Sequence, residues 1–323
     1  MLTDTFGRRF YYLRLSITDV CNFRCQYCLP DGYQCDHDRQ FLTLPEIRNI
    51  AQTFASLGTE KIRITGGEPS LRKDLPEVIK TCKQTPGIKQ VAITTNGYKL
   101  PEMLPQWIDA GLDALNVSID SLDAKQFNLI TGHDKLDTIL KGIDLAVAHP
   151  NLKVKVNTVL MRNFNYQSLE QFLAWVKAMP ISLRFIELMQ TGDNTTFFDE
   201  HHVQGEEIKQ YLLANGWSEQ IREKTAGPAQ EFYHPDYQGT IGLIMPYSKD
   251  FCATCNRLRV SSLGKLHLCL FAEHGHELRP LLTEADSETV AAHITSLMSD
   301  KKVSHFLQDK LTGATKHLAM LGG

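Results

Sequence analysis

Along the first two thirds of the chain, the spacing of apolar residues switches repeatedly between a period of two and a period near 3.6. From Tyr12 to Thr18, Leu13, Leu15 and Ile17 alternate with Arg14, Ser16 and Thr18, which predicts a strand. Thr43-Leu-Pro-Glu46 reads as a capping box and predicts a helix start, and Gly58 stands where that helix would stop. Further strands are predicted at Lys61–Thr65, Val91–Thr95, Ala114–Asp120, Lys153–Leu160 and Leu183–Leu188. Helices are predicted from about Asp74 and near 101–110, 122–147 and 166–178.

Six strand–helix units need parallel strands, which close into a barrel or form a doubly wound sheet. Several predicted strands carry one polar row: Arg14, Ser16 and Thr18; Arg63 and Thr65; Asn116, Ser118 and Asp120; Lys153, Lys155 and Asn157. A strand buried on both faces normally reads as a continuous apolar run. These rows therefore suggest a polar interior, as in an incomplete or splayed barrel; the alternative is a set of edge strands with one wet face. The expected class is α/β, an incomplete (β/α)6 TIM-type barrel over residues 1–216. After Gly216 the runs shorten, with turns at Gly227-Pro228 and His234-Pro235 and helical patterning near 284–310. Residues 217–323 are expected to form a C-terminal α+β extension packed on the barrel.

Composition narrows the class without naming a chemistry. The 34 Lys and Arg against 37 Asp and Glu leave a net charge of −3, which argues against a bulk nucleic-acid binder. No apolar run approaches membrane-spanning length and no secretory signal is visible at the N-terminus, so a cytoplasmic protein is expected. Six of the eight cysteines fall in two tight groups, which reads as metal or redox chemistry rather than a disulfide scaffold.

The first group, Cys21, Cys25 and Cys28, is C-x3-C-x2-C directly after the first predicted strand, where a barrel places its active site. Three thiolates on a four-iron cluster leave one iron open for a ligand, unlike ligation by four cysteines. This spacing resembles the radical S-adenosylmethionine (SAM) superfamily, as do Tyr27 before the third cysteine and Thr65-Gly66-Gly67-Glu68-Pro69 after the second strand. Cys35 and Cys82 lack a clustered partner and read as ordinary thiols, and Cys35 and His37 map onto no motif.

The second group, Cys252, Cys255 and Cys269, is C-x2-C-x13-C. Alone it is compatible with structural zinc completed by His267, His274 or His276. Beside it, however, Arg257 and Arg259 share a strand parity, which suits the capture of phosphate. Taken together, the motifs resemble the GTP 3′,8-cyclase family of molybdenum cofactor biosynthesis. They include Leu13-Arg-Leu-Ser16, Lys61 through Pro69, Thr94-Thr-Asn-Gly97, Asn116 through Asp120, Lys153 through Asn157, Arg184 through Met189 and Gly322-Gly323.

That resemblance implies two [4Fe-4S] clusters, held by Cys21, Cys25 and Cys28 and by Cys252, Cys255 and Cys269. It implies SAM contacts at Tyr27, Gly67, Ser118 and Met189, and GTP contacts at Arg14, Arg63, Thr94, Lys155, Arg257, Leu258 and Arg259, with Arg14, Arg257 and Arg259 also assigned to catalysis. A 5′-deoxyadenosyl radical would take the ribose 3′ hydrogen, and the Gly-Gly tail would reach into the barrel; a disordered tail and a ubiquitin-like acceptor are the other readings. The implied partners are a reducing electron donor and, through the pathway, cyclic pyranopterin monophosphate synthase, with the chain a monomer or homodimer. His201, His202, His274 and His276 are expected at the surface. The competing functions are a radical SAM enzyme that modifies a peptide and a non-enzymatic zinc-stabilised module.

Overall fold

The computed structural model describes residues 1–34, 40–221, 225–284 and 286–321. Its first part runs β1 (Tyr12–Ser16), α1 (Leu44–Ser56), β2 (Lys61–Thr65), α2 (Leu75–Lys83), β3 (Gln90–Thr95), α3 (Leu100–Asp109) and β4 (Ala114–Ser118). It continues with α4 (Ala124–Thr131), α5 (Leu136–Val147), β5 (Lys153–Leu160), α6 (Leu169–Ala178), β6 (Ser182–Glu187), α7 (Thr195–His201) and α8 (Gly205–Ala214). The remainder holds β7 (Ser218–Glu219), β8 (Gln230–Tyr233), β9 (Thr240–Ile244), β10 (Arg257–Val260), β11 (Lys265–His267), β12 (His276–Glu277), α9 (Arg279–Glu284) and α10 (Ser287–Leu297).

All six predicted strands form, and β1 to β6 pair in chain order as parallel neighbours. The parity of each strand decides its faces. Leu13, Leu15, Ile62, Ile64, Val91, Ile93, Leu115 and Val117 pack outward into one apolar core with Ile47, Phe54, Val78, Trp107 and Ile139 of the helices. The opposite parity turns Arg14, Arg63 and Asn157 toward an interior cavity. The splayed interior expected from the polar rows is therefore present, and the sheet is open rather than a closed barrel.

One feature differs from the expectation. The single helix expected near 122–147 is two, α4 and α5, because Gly132 caps α4 at φ +76°, a left-handed turn that suits glycine. Asp123 starts α4 by accepting from the backbone N–H of Gln126 at 2.8 Å. The chain beyond Gly216, expected as an extension packed on the barrel, joins the sheet itself. It extends the same sheet at both edges, with β10 parallel to β1 and β9 parallel to β6.

The α1 capping box forms as expected, with the Thr43 N–H donating to Glu46 at 2.7 Å. Glu46 also takes Arg279 of α9 at 2.7 Å, which ties the C-terminal part to the first helix. Burial opposes the charge on Glu46, but Arg279 and Thr43 outweigh it and hold the carboxyl below its usual range. Among the described residues, no helix is long and apolar enough to cross a membrane.

Candidate active site

The first cysteine loop leaves the end of β1 and is docked against neighbouring elements. Arg24 and Gln26 donate backbone N–H groups to Thr131 and Ile130 at 3.0 Å each. The Tyr27 hydroxyl donates to the buried Asp120 carboxylate at 2.9 Å. The Gly66-Gly67 turn lies directly under this loop. A Cβ on Gly66 would stand 2.1 Å from the Thr18 carbonyl oxygen, and one on Gly67 would stand 2.3 Å from that of Val20. Only glycine permits this approach. Glu68, fully buried, accepts from the Thr95 hydroxyl and the Asn96 N–H at 2.7 Å each, and the Asn96 side-chain amide reaches Asn22 at 2.9 Å. The glycine turn, Glu68 and the Thr94-Thr-Asn-Gly97 segment thus fix the path of the cysteine loop.

The thiols of Cys21, Cys25 and Cys28 lie near enough to influence one another. Burial pushes Cys21 up to about 11 and Cys28 up to about 12; Glu68 adds to the first, the Cys21 thiol and Asp120 to the second. Cys25 is also pushed up, by burial and then by Asp120. Such thiols stay protonated unless a cation binds them, so the site fits a strongly positive metal core that displaces the protons. Backbone N–H groups of Leu318 and Ala319 point at the Cys28 sulfur, the kind of outer contact that tunes a ligated thiolate. Tyr27 and Cys28 border an open cavity of 1120 Å³.

The second triad differs at one position: burial raises the Cys252 thiol as it does the first triad's, but Cys255 is lowered. Cys252 and Cys255 precede β10, and β10 runs parallel to β1 with Tyr12 opposite Arg257 and Arg14 opposite Arg259. This triad therefore lies at the starting end of the β1–β10 pair, while the first lies beyond its finishing end. Burial alone would raise the Cys255 pKa, but Arg257, Lys301 and Arg259 lower it to about 6. Cys255 is thus a thiolate at neutral pH and fits a cationic metal core without first losing a proton. Among the described residues, no three His, Cys, Asp or Glu side chains are placed to hold a single metal ion.

Between the triads runs a buried row of cations. Arg14 stands opposite both Arg63 and Arg259 across the sheet, and all three line one cavity with Arg184, Arg257, Met189, Cys252, Cys255 and Cys269. Burial lowers Arg14, Arg63 and Arg259 to about 10 each. The Nε atoms of Arg63, Arg184, Arg257 and Arg259 are buried with no hydrogen-bond partner among the described residues. Buried donors of this kind are costly unless a ligand meets them. Lys61 and Lys155 fall to about 7, first through burial and then through neighbouring cations.

The structure gathers most of the expected site residues, in two places. Tyr27, Gly67, Ser118 and Met189 lie on the first loop or at or just beyond the finishing ends of β2, β4 and β6, at the first triad's end of the sheet. Arg14, Arg63, Arg257 and Arg259 share the central cavity, whereas Lys155 lies in an adjoining cavity of 260 Å³ with Lys61, Lys153 and Glu231. Glu231 links the two by taking Arg184 at 2.6 Å and Lys155 at 3.9 Å. Thr94 pairs with Asn116, and its hydroxyl is buried without a hydrogen-bond partner among the described residues. Leu258 has the opposite parity to the arginines and buries its side chain in the outer core, away from the cavity.

Sequence reading missed Tyr12, Lys61, Arg184 and Glu231 as site residues. Tyr12 and Lys61 share the parity of Arg14 and Arg63, a signal that was present, and both Lys61 and Arg63 stand over the Tyr12 ring at 5.0 and 5.5 Å. His201 is not at the surface: it is buried against Phe197 and Phe164, while His202 bonds Glu187 at 2.9 Å. Cys82 is a fully buried thiol of the core, as an unclustered cysteine should be. Cys35, His37 and Gly322-Gly323 lie outside the described residues.

Residues 15–176 match the family model described as Radical SAM superfamily, and residues 181–307 match that described as Molybdenum Cofactor Synthesis C. The fold is shared with solved structures. Streptococcus suis SuiB bound to S-adenosylmethionine has a TM-score of 0.63 at 12% identity, covering 90% of this chain and 69% of that one. SuiB bound to the precursor peptide SuiA has a TM-score of 0.65 at 11% identity, covering 97% and 76%. The class is therefore radical SAM. More narrowly, a Psychromonas ingrahamii protein named GTP 3′,8-cyclase is 57% identical over 323 residues, covering 100% of this chain and 95% of the relative. The chain belongs to the GTP 3′,8-cyclase family.

The contrast between the triads predicts their reactivity in the metal-free chain. At neutral pH a thiol-alkylating reagent should modify Cys255 well before Cys28, because one thiol titrates near 6 and the other near 12. Peptide mass spectrometry over a time course checks the order; Cys28 reacting first would contradict it.

Proposed function

We propose that this chain cyclises GTP to (8S)-3′,8-cyclo-7,8-dihydroguanosine 5′-triphosphate, the first step of molybdenum cofactor biosynthesis. The observation that carries this reading is the buried cation row lying between two cysteine triads at opposite ends of β1 and β10. When bound, SAM on a four-iron cluster supplies a 5′-deoxyadenosyl radical able to remove the ribose 3′ hydrogen. Removing that hydrogen atom, forming the C3′–C8 bond, then adding one electron and one proton leaves an isomer of GTP.

The residues divide this work. Cys21, Cys25 and Cys28 hold the first cluster, and Tyr27, Gly67, Ser118 and Met189 border the SAM position. Cys252, Cys255 and Cys269 would hold a second four-iron cluster, which with three protein ligands would have a site free to take the purine. Arg14, Arg63, Arg257 and Arg259 meet the triphosphate with forked hydrogen bonds, and Lys61 and Lys155 neutralise its far end. Thr94 and the Leu258 backbone complete the contact set. The protein's contribution is to hold C3′ and C8 in reach of each other and to keep water out. A cytoplasmic reductant supplies the electrons, and the product passes to cyclic pyranopterin monophosphate synthase.

A peptide substrate has less support. Buried arginines with open donors suit a compact polyanion better than a backbone. The test is anaerobic incubation with reductant, SAM and GTP. Chromatography should reveal an isomer of GTP together with 5′-deoxyadenosine, and Arg259→Ala should lose the isomer while keeping its iron. Cleavage of SAM with GTP recovered unchanged would favour the peptide reading.

The two lysines predict a pH dependence. In the free chain both titrate near 7, and a bound polyphosphate raises their pKa values. Between the free and bound values, binding must take up protons, so GTP affinity falls as pH rises above 7. Calorimetry in buffers of different ionisation enthalpy should show proton uptake near pH 8; an absence of uptake there would contradict the assignment of Lys61 and Lys155.

A further inference from the structure

The N-terminal arm, residues 1–14, falls outside both family-model matches. Arg8 in this arm is buried, and all three of its guanidinium nitrogens donate hydrogen bonds. Its Nε donates to Asp4 at 2.6 Å, while Asp4 also accepts the Arg8 and Phe6 backbone N–H groups at 2.9 and 3.0 Å. The arm thus forms a closed turn that aims the rest of the fork away from itself. Nη1 donates to the carbonyls of Cys252 at 3.0 Å and Val303 at 2.8 Å, and Nη2 to that of Lys302 at 2.7 Å. One side chain therefore joins three separated parts of the chain: the arm, the second cysteine turn and the segment 301–305.

That segment lies across the second triad as a strap. Lys301 is buried, donates to the Leu268 carbonyl beside Cys269, and stands 5.2 Å from the Phe10 ring of the arm. The Ser304 hydroxyl donates to the Cys252 sulfur at 3.8 Å, and the His305 backbone N–H also points at it. His305 is held in turn by the Pro246 carbonyl at 2.9 Å. Hydrogen-bond donors and a cation at the sulfurs are the outer groups that fix a cluster's ligands and its charge.

We propose that Arg8 is a positioning residue for the second cluster, fastening the 301–305 strap to the Cys252 turn. This rests on the reading that the second triad holds a cluster. Lysine keeps the charge but lacks the planar fork that reaches three carbonyls and a carboxylate at once, so Arg8→Lys isolates the clasp from the charge.

The test places Arg8→Lys in two full-length backgrounds, one with Cys21, Cys25 and Cys28 all changed to serine and one with Cys252, Cys255 and Cys269 all changed to serine. Each is reconstituted anaerobically, and iron release to a chelator is timed. Release should quicken about tenfold in the chain that keeps only the second triad and stay unchanged in the chain that keeps only the first. The electron paramagnetic resonance signal of the reduced second cluster should shift in the same variant. Equal quickening in both backgrounds would make Arg8 a residue of the fold at large, and no quickening in either would leave the clasp without effect; each result overturns the proposal. A chain lacking the first triad that takes up no iron at all would overturn the second-cluster reading and the proposal with it.

Discussion

The site depends on one pairing: β10 lies parallel to β1, in a register that sets Arg257 beside Tyr12 and Arg259 beside Arg14. The partners are more than two hundred residues apart in sequence, yet the pairing decides three things at once. It turns both C-terminal arginines to the interior parity of the sheet. It puts the second cysteine turn at the starting end of β1, while the first cysteine loop leaves the finishing end. It also makes the cation row continuous from β10 through β1 to β2. A slip of one residue would send Arg257 and Arg259 into the outer core and bring Leu258 inside.

That row carries an electrostatic cost. Arginines crowded in a desolvated cavity lose hydration, and the Nε atoms of Arg63, Arg184, Arg257 and Arg259 recover no hydrogen bond from the described residues. Glu231 offsets part of the charge by taking Arg184, and the Tyr12 ring receives Lys61 and Arg63. The rest is left for a ligand, and its binding energy is the natural compensation. The same asymmetry reaches the cysteines. Burial, with smaller help from carboxylates, holds the first triad's thiols protonated, and burial raises Cys252 too, while Arg257, Lys301 and Arg259 hold Cys255 ionised. The two groups of three cysteines thus differ in setting at Cys255.

Most of the parallel core was legible from period alone, because several of the strands alternate an apolar row with a polar one. The first triad and its glycine turn were legible from spacing, since a short loop needs no distant partner. Tyr12 was not singled out: an aromatic in an alternating strand reads as core, and its ring faces inward only because its parity matches Arg14. Lys61 and Arg184 stood inside quoted motifs, but nothing local says that β2 and β6 face the same cavity. The break at Gly132 was missed because helical periodicity continues on both sides of it. The entry of β9 and β10 into the sheet was missed for a deeper reason. Such short strands are specified by the edges they complete, and those edges lie far away in sequence. Arg8 was invisible on the same ground, since its carbonyl partners have no side-chain signature.

The central claim is that this cavity holds GTP with its ribose toward the first triad and its base toward the second. Incubation of the reduced protein with SAM and GTP deuterated at C3′ tests it most directly. The account predicts that the deuterium is recovered in 5′-deoxyadenosine; 5′-deoxyadenosine formed without deuterium would place the abstracted hydrogen elsewhere and contradict it.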